Sequence, residues 1–183
     1  MKKASQQELS IQTVIARRRE KLIQRTELLA LLRRILLLGI AGWILFTQIF
    51  MLAKVQGMEM FPALKDGDLA VIFRLQQDYA ADDVVAYEVD GTLHIGRIIA
   101  CENDVVSTDS SGTLMVNGTV QNGEILYPTY AREEDSDPVR VPEGCIYVLG
   151  DYRTRCRDSR DFGAIPLEKV KGKIISILRR RGL

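Results

Sequence analysis

An unbroken apolar run, Ile35–Ala53 (ILLLGIAGWILFTQIFMLA), limits what this chain can fold into more than any other stretch. It carries no charge, and Thr47 and Gln48 are its only clearly polar members. Its length is close to the ~20 residues that cross a bilayer as a helix. Two other readings compete. A core helix of a soluble protein can be apolar, but so long a run is uncommon in a small domain. A cleaved secretory signal would have a short basic start and a small-x-small site after the run. Here a long charged tail precedes the run and no such site follows it. The organisation expected is a tail over 1–34, a membrane anchor over 35–53 and one domain over 54–183, large enough to bury a core.

The formal net charge is only +1, but the charge is unevenly placed. The tail holds Lys2, Lys3, Arg17, Arg18, Arg19, Lys21, Arg25, Arg33 and Arg34 against Glu8, Glu20 and Glu27. Basic residues crowd the cytoplasmic flank of an anchor, so the tail is expected inside the cell membrane and the 54–183 domain outside. Ile11, Val14, Ile15 and Leu22 recur at helical spacing, which fits an amphipathic helix on the anionic inner leaflet; a plain solvated tail fits as well. Lipid is thus an expected partner. Nucleic acid is not, because no base-reading module accompanies the basic tail. Cys101, Cys145 and Cys156 lack metal-ligand spacing and read as small buried residues, and neither metal nor cofactor is expected.

Beyond the anchor the pattern is short strands punctuated by Gly, Asn and Asp. Leu69–Arg74, Val84–Tyr87, Thr92–Ala100, Val105–Val106, Thr113–Val116, Ile146–Leu149 and Lys173–Leu178 are rich in β-branched residues. Asn117-Gly118 after the fifth predicts a type I′ hairpin turn. The fold class is therefore mainly β, an antiparallel folded sheet or barrel after a single N-terminal transmembrane helix. The stretch 123–144, with Pro128, Pro138, Pro142 and the acidic run Glu133-Glu-Asp-Ser-Asp137, reads as an exposed excursion and a variable surface loop or partner contact.

Three boxes carry a family resemblance. Leu149-Gly-Asp-Tyr-Arg-Thr-Arg-Cys-Arg-Asp-Ser-Arg-Asp-Phe-Gly163 resembles the "GDNRxxSxDSRxFG" signature of type I signal peptidases, membrane-anchored serine proteases with a Ser/Lys dyad. Val55-Gln-Gly-Met-Glu-Met-Phe-Pro-Ala-Leu64 resembles the nucleophile box "VxGxSMxPTL", and Gly67-Asp68 the "GD" that follows it. Gly96-Arg-Ile-Ile-Ala-Cys-Glu-Asn-Asp104 resembles the "KRVIGxPGD" segment bearing the general base. The resemblance implies the same mostly antiparallel β domain with a groove beside the membrane. Asp151, Arg153, Cys156, Asp158, Ser159 and Arg160 take scaffold positions, with Asp158 and Arg160 as paired charges. Gly57, Met58, Met60, Phe61 and Pro62 take the positions of an apolar peptide- and membrane-binding rim; for Met58, Met60 and Phe61, ordinary core packing is an equal reading.

The dyad itself is absent. Glu59 stands at the serine position and Gly96 at the lysine position. Acyl transfer needs a nucleophile, a base and oxyanion donors. A carboxylate attacks amides poorly and repels the developing oxyanion, and glycine offers no functional atom. No catalytic residue is therefore expected. Other departures from the family agree: Ala63 for Thr, Tyr152 for Asn, Cys156 for Ser, and Cys101-Glu-Asn-Asp104 for a Pro-Gly-Asp turn. A substituted site could rest on a Glu59/Asp158 carboxylate pair, on a Cys156/His94 thiol dyad, or on Ser107, Ser110 or Ser159; the alternative reading is thus an active signal peptidase with such a site. Glu59 is also expected to fill the space left by Gly96 and to bond donors such as Ser159.

An acidic residue for Ser with glycine for Lys resembles the SipA/LepA-type signal-peptidase-like proteins of Gram-positive pilus gene clusters. That resemblance implies a chaperone-like factor for pilin polymerisation, with pilin subunits and a class C sortase as partners.

Overall fold

The computed structural model describes residues 2–121, 127–132 and 138–179, with side chains described for 24, 25 and from 27 onward. The acidic run 133–137, the start of the 123–144 excursion and the side chains of Ile11, Val14, Ile15 and Leu22 lie outside the described residues. The chain divides into two units, residues 1–47 and 48–183.

The first unit is helical. The helix α1 spans Lys2–Ile49, and Glu27–Ile49 within it is apolar and long enough to cross a membrane. Its large side chains, Leu38 and Trp43 among them, are exposed on the chain alone, where lipid would otherwise cover them.

The second unit is mainly antiparallel β. Its strands are β1 (Phe50–Lys54), β2 (Leu69–Phe73), β3 (Val84–Val89), β4 (Thr92–Ala100), β5 (Val105–Thr108), β6 (Leu114–Val116), β7 (Thr119–Val120), β8 (Val139–Arg140), β9 (Cys145–Leu149), β10 (Ile165–Pro166) and β11 (Val170–Leu178). A seven-stranded sheet runs β1-β2-β11-β3-β4-β9-β10, and a four-stranded sheet runs β7-β6-β5-β8. The hairpin predicted at Asn117-Gly118 joins β6 to β7, with positive φ of 52° and 77° at its two turn residues, as type I′ requires.

One boundary differs from the sequence expectation. Hydropathy extends the anchor through Ala53, but Phe50–Lys54 is a strand paired with β2, Phe50 opposite Phe73 and Lys54 opposite Leu69. Hydropathy cannot tell a lipid-facing helix from a strand that buries one face. Here Ala53 is buried with Ile72 and Ala86 while Leu52 alternates outward.

The core lies on both sides of β9. Ile146 and Val148 pack with Val85, Tyr87, Ile98 and Ile165; Tyr147 and Leu149 pack with Ala100, Val106, Leu114 and Val141. A strand covered on both faces reads as a continuous apolar run, as Cys145-Ile-Tyr-Val-Leu149 does. It delivers the signature loop from the centre of the fold.

Candidate functional site

The site forms where three stretches meet: the loop after β1, the strand β4, and the loop 150–158 that leaves β9. Glu59 sits in the first. Its backbone carbonyl accepts from the Tyr152 amide at 2.9 Å, which ties the first loop to the third. The approach is close enough that a Cβ on Gly150 would lie 2.7 Å from that carbonyl and 2.7 Å from Cys156 Sγ, so only glycine fits there.

The loop 150–158 is braced by buried charge. Asp158 is fully buried and caps the short helix α2 (Ser159–Phe162), accepting from the Arg160 amide at 3.1 Å while the Asp158 amide donates to Asp161. The Arg160 guanidinium donates to both Asp158 oxygens, at 2.9 and 2.8 Å. Burial works to raise the Asp158 carboxyl, but the hydrogen bonds and charge of Arg160 overrule it and hold it below its ordinary value. Arg160 also donates to the Arg153 carbonyl. Arg97, next to Gly96 on β4, grips Asp151 with two bonds of 2.9 and 2.8 Å. Arg153 is completely buried; its Nη1 donates to Thr129 at 2.9 Å, and burial lowers its pKa to about 10. The expected scaffold residues are thus brought together, and Arg97 and Thr129 join them. Arg97 is visible in the sequence as part of its motif, but its partner Asp151 lies too far along the chain for spacing to reveal the pairing.

The carboxylate of Glu59 faces His94, with Oε2 3.8 Å from Nδ1 and side-chain exposures of 30% and 14%. Burial raises the Glu59 carboxyl above its ordinary value, against the pull of His94. The His94 ring stacks on Tyr87 at 5.7 Å and meets Phe162 at 5.2 Å. The sequence expectation has Glu59 filling the space beside Gly96 and bonding Ser159. Neither holds. Ser159 Oγ accepts from the Val148 amide, latching α2 to β9. The space beside Gly96 is taken by Val148, whose Cγ1 would lie 2.5 Å from a Cβ there, with Tyr87 Cε1 at 3.4 Å. A lysine side chain could enter only if Val148 shifted.

The substituted mechanisms fare no better. Cys156 is buried, donates to Asp158 Oδ2 at 3.0 Å, and its thiol is pushed up to about 12 by burial and then by Asp158. Such a thiol is not a nucleophile, and His94 is engaged elsewhere with Glu59, Tyr87 and Phe162. Asp158 is committed to Arg160 and is not free to pair with Glu59. Ser107 lies in β5 of the smaller sheet, and Ser110 is exposed beyond it.

Beside Glu59 runs a groove of about 440 Å³ between β1 and the β3–β4 hairpin. Ala53, Val55, Met60, Leu93 and Ile95 supply apolar lining, and Lys54 and Glu59 are the charged lining residues among those described. Leu93 and Ile95 do not stand out in the sequence; their i, i+2 spacing on β4 is the available signal. Of the expected rim, Met58 and Pro62 are exposed, and Phe61 is half-buried against Tyr152. Gly57 is exposed, its amide donating to Asp66 at 2.9 Å. Met60 is 2% exposed and packs with Val55, Leu64 and Ala70, as the core-packing reading has it, while lining the base of the groove, because the turn over 58–63 folds it inward.

Comparison with known families decides what this arrangement belongs to. Residues 28–178 match the family described as Signal peptidase, peptidase S26. The chain belongs to that family. Among curated signal peptidases it is similar to signal peptidase I of Bacillus caldolyticus, 29% identical over 136 residues that cover 66% of this chain and 74% of that protein. It is also similar to signal peptidase I of Bacillus licheniformis, 30% identical over 132 residues, 64% and 70% of the two chains. A probable thylakoidal processing peptidase of Arabidopsis thaliana is 29% identical over 136 residues, which span 67% of this chain and only 36% of that longer protein. A crystal structure of a signal peptidase I from Enterococcus faecalis V583 is 25% identical, covering 54% of this chain and 98% of that one, with a TM-score of 0.44.

Proposed function

We propose that this chain is a non-catalytic, membrane-anchored member of the signal peptidase family that holds an extended polypeptide in its groove instead of cutting it. One observation carries the reading: the nucleophile position holds Glu59 and the base position holds Gly96, where even a Cβ would meet Val148 at 2.5 Å. Losing both members of a dyad removes the mechanism and leaves at most the contribution of binding. The scaffold around the site is kept, and an edge strand beside an apolar groove suits strand addition by a peptide. The role is that of the pilus-assembly proteins it resembles, a chaperone-like factor acting on pilin subunits with a class C sortase at the outer face of the cell membrane. Exposed Leu52, Met58, Leu69 and Leu178 suit contact with lipid or with such a partner.

The test is cleavage of a pre-pilin and of a generic pre-protein by the full chain in detergent, with Glu59→Ala beside it. Neither substrate is cut by either form, and cross-linking recovers pilin or sortase contacts. Cleavage lost in Glu59→Ala would establish a carboxylate mechanism and overturn the reading; cleavage retained in both would establish another nucleophile.

A further inference from the structure

Glu59 is an unusual occupant of this groove. Lining that is apolar over Ala53, Val55, Met60, Leu93 and Ile95 favours apolar peptide side chains, and a carboxylate set among them is costly to desolvate without a partner. His94 lies beside it, Nδ1 3.8 Å from Oε2, beyond hydrogen-bond range and an ion-pair partner only when protonated, and the Arg157 backbone amide also donates to the carboxylate. The cationic side chains nearby are placed elsewhere: Arg160 on Asp158, Arg97 on Asp151, and Arg157 over the Phe162 ring at 4.9 Å. Lys54, the other charged lining residue, lies on β1 and its side chain is exposed. The carboxylate is 30% exposed, so a ligand can reach it.

Resting on the groove-binding reading above, we propose that the groove selects an extended peptide carrying a lysine or arginine flanked by small or apolar residues, with Glu59 as the specificity-determining residue that receives the basic side chain. Charge complementarity carries the choice of occupant. An acidic peptide would set two carboxylates against each other at Glu59. A wholly apolar peptide would bury the Glu59 carboxylate with only His94 and the Arg157 amide to compensate it among the described residues. A basic side chain adds the full opposite charge that an amide lacks and keeps its aliphatic stem along the apolar wall. The family's serine would make no such demand, so the substitution at 59 changes what the groove recognises as well as what it can catalyse.

The probe is a fluorescein-labelled heptapeptide of alternating alanine and valine, with one lysine moved through the central positions and norleucine as its uncharged counterpart. Binding to the full chain in detergent is read by anisotropy at neutral pH. In one register the lysine peptide binds about fivefold more tightly than its norleucine counterpart, as a partly exposed ion pair gives. High salt shrinks the difference, and Glu59→Gln, which keeps the side chain's shape, abolishes it. Equal binding of lysine and norleucine peptides in every register, with binding lost in Leu93→Asp, would overturn this proposal and leave the groove-binding reading standing. No binding by any peptide would overturn both.

Discussion

Gly96 and Asp158 show how single residues fix the state of this site. Gly96→Ala is normally a mild gain in a chain, about 0.4–1 kcal/mol from the unfolded state. Here the added Cβ meets a β-branched side chain at 2.5 Å, and overpacking of that kind costs about 1–3 kcal/mol. The steric cost outweighs the entropic gain, so Gly96→Ala lowers stability in urea unfolding. The same contact predicts that Glu59→Ser with Gly96→Lys, which restores both residues of a Ser/Lys dyad, yields no cleavage in a pre-protein assay. Cleavage by that double variant would mean that Val148 yields freely. Asp158→Asn leaves Arg160 charged and buried, a change that costs about 3–5 kcal/mol, a large share of a domain's ~5–15 kcal/mol. The pH dependence has a definite sign. The folded Asp158 value lies below its ordinary 3.8, so its contribution is present above pH 3.8 and is lost as pH falls through the folded value. Wild type therefore loses stability over that acid range, while Asp158→Asn starts lower and loses less of it.

At the scale of elements, legibility follows locality. β4 is readable from end to end because β-branched residues fill it and turns bound it, and the α2 signature is readable because Asp158, Ser159 and Arg160 act on neighbours within a few residues. β1 is hidden. Phe50-Met-Leu-Ala continues the apolar run, and its strand state is set by pairing with β2, well along the chain. The closing of the lysine space is hidden for the same reason: Val148 reaches Gly96 only because β9 lies beside β4. So is the Glu59–His94 contact, since β2 and β3 intervene between the two residues. The β1 boundary has a measurable consequence. A fragment beginning at Gln48 keeps the whole strand, whereas one beginning at Lys54 uncovers Ile72 and Ala70 on β2 and gives it a free edge. The shorter fragment is less stable by roughly 2–5 kcal/mol, the scale of losing a large buried side chain, and it aggregates on thermal unfolding while the longer one melts reversibly. Equal denaturation midpoints would remove β1 from the folded core.

The whole molecule combines a basic tail, an apolar helix and a β domain, and its function depends on which side of a membrane each lies. A peptide groove serves secreted substrates only if the β domain is outside. The overall charge of +1 is silent on this, but orientation follows the lysines and arginines near the span and not the total. Nine basic residues precede the apolar run against Glu8, Glu20 and Glu27, so the proposal places the tail in the cytoplasm. Native cysteines allow a direct check. Cys156 is buried with its thiol pushed up to about 12, so it stays unlabelled by maleimide in the folded protein. With Cys101→Ser and Cys145→Ser removing the two partly buried thiols, Ser110→Cys reports on an exposed turn of the β domain and Ser5→Cys on the tail. A membrane-impermeant maleimide applied to intact cells labels Ser110→Cys, and it labels Ser5→Cys only after permeabilisation. The opposite pattern would put the groove in the cytoplasm, out of reach of any exported polypeptide, and the chaperone role would fall with it even if the groove bound peptides in detergent.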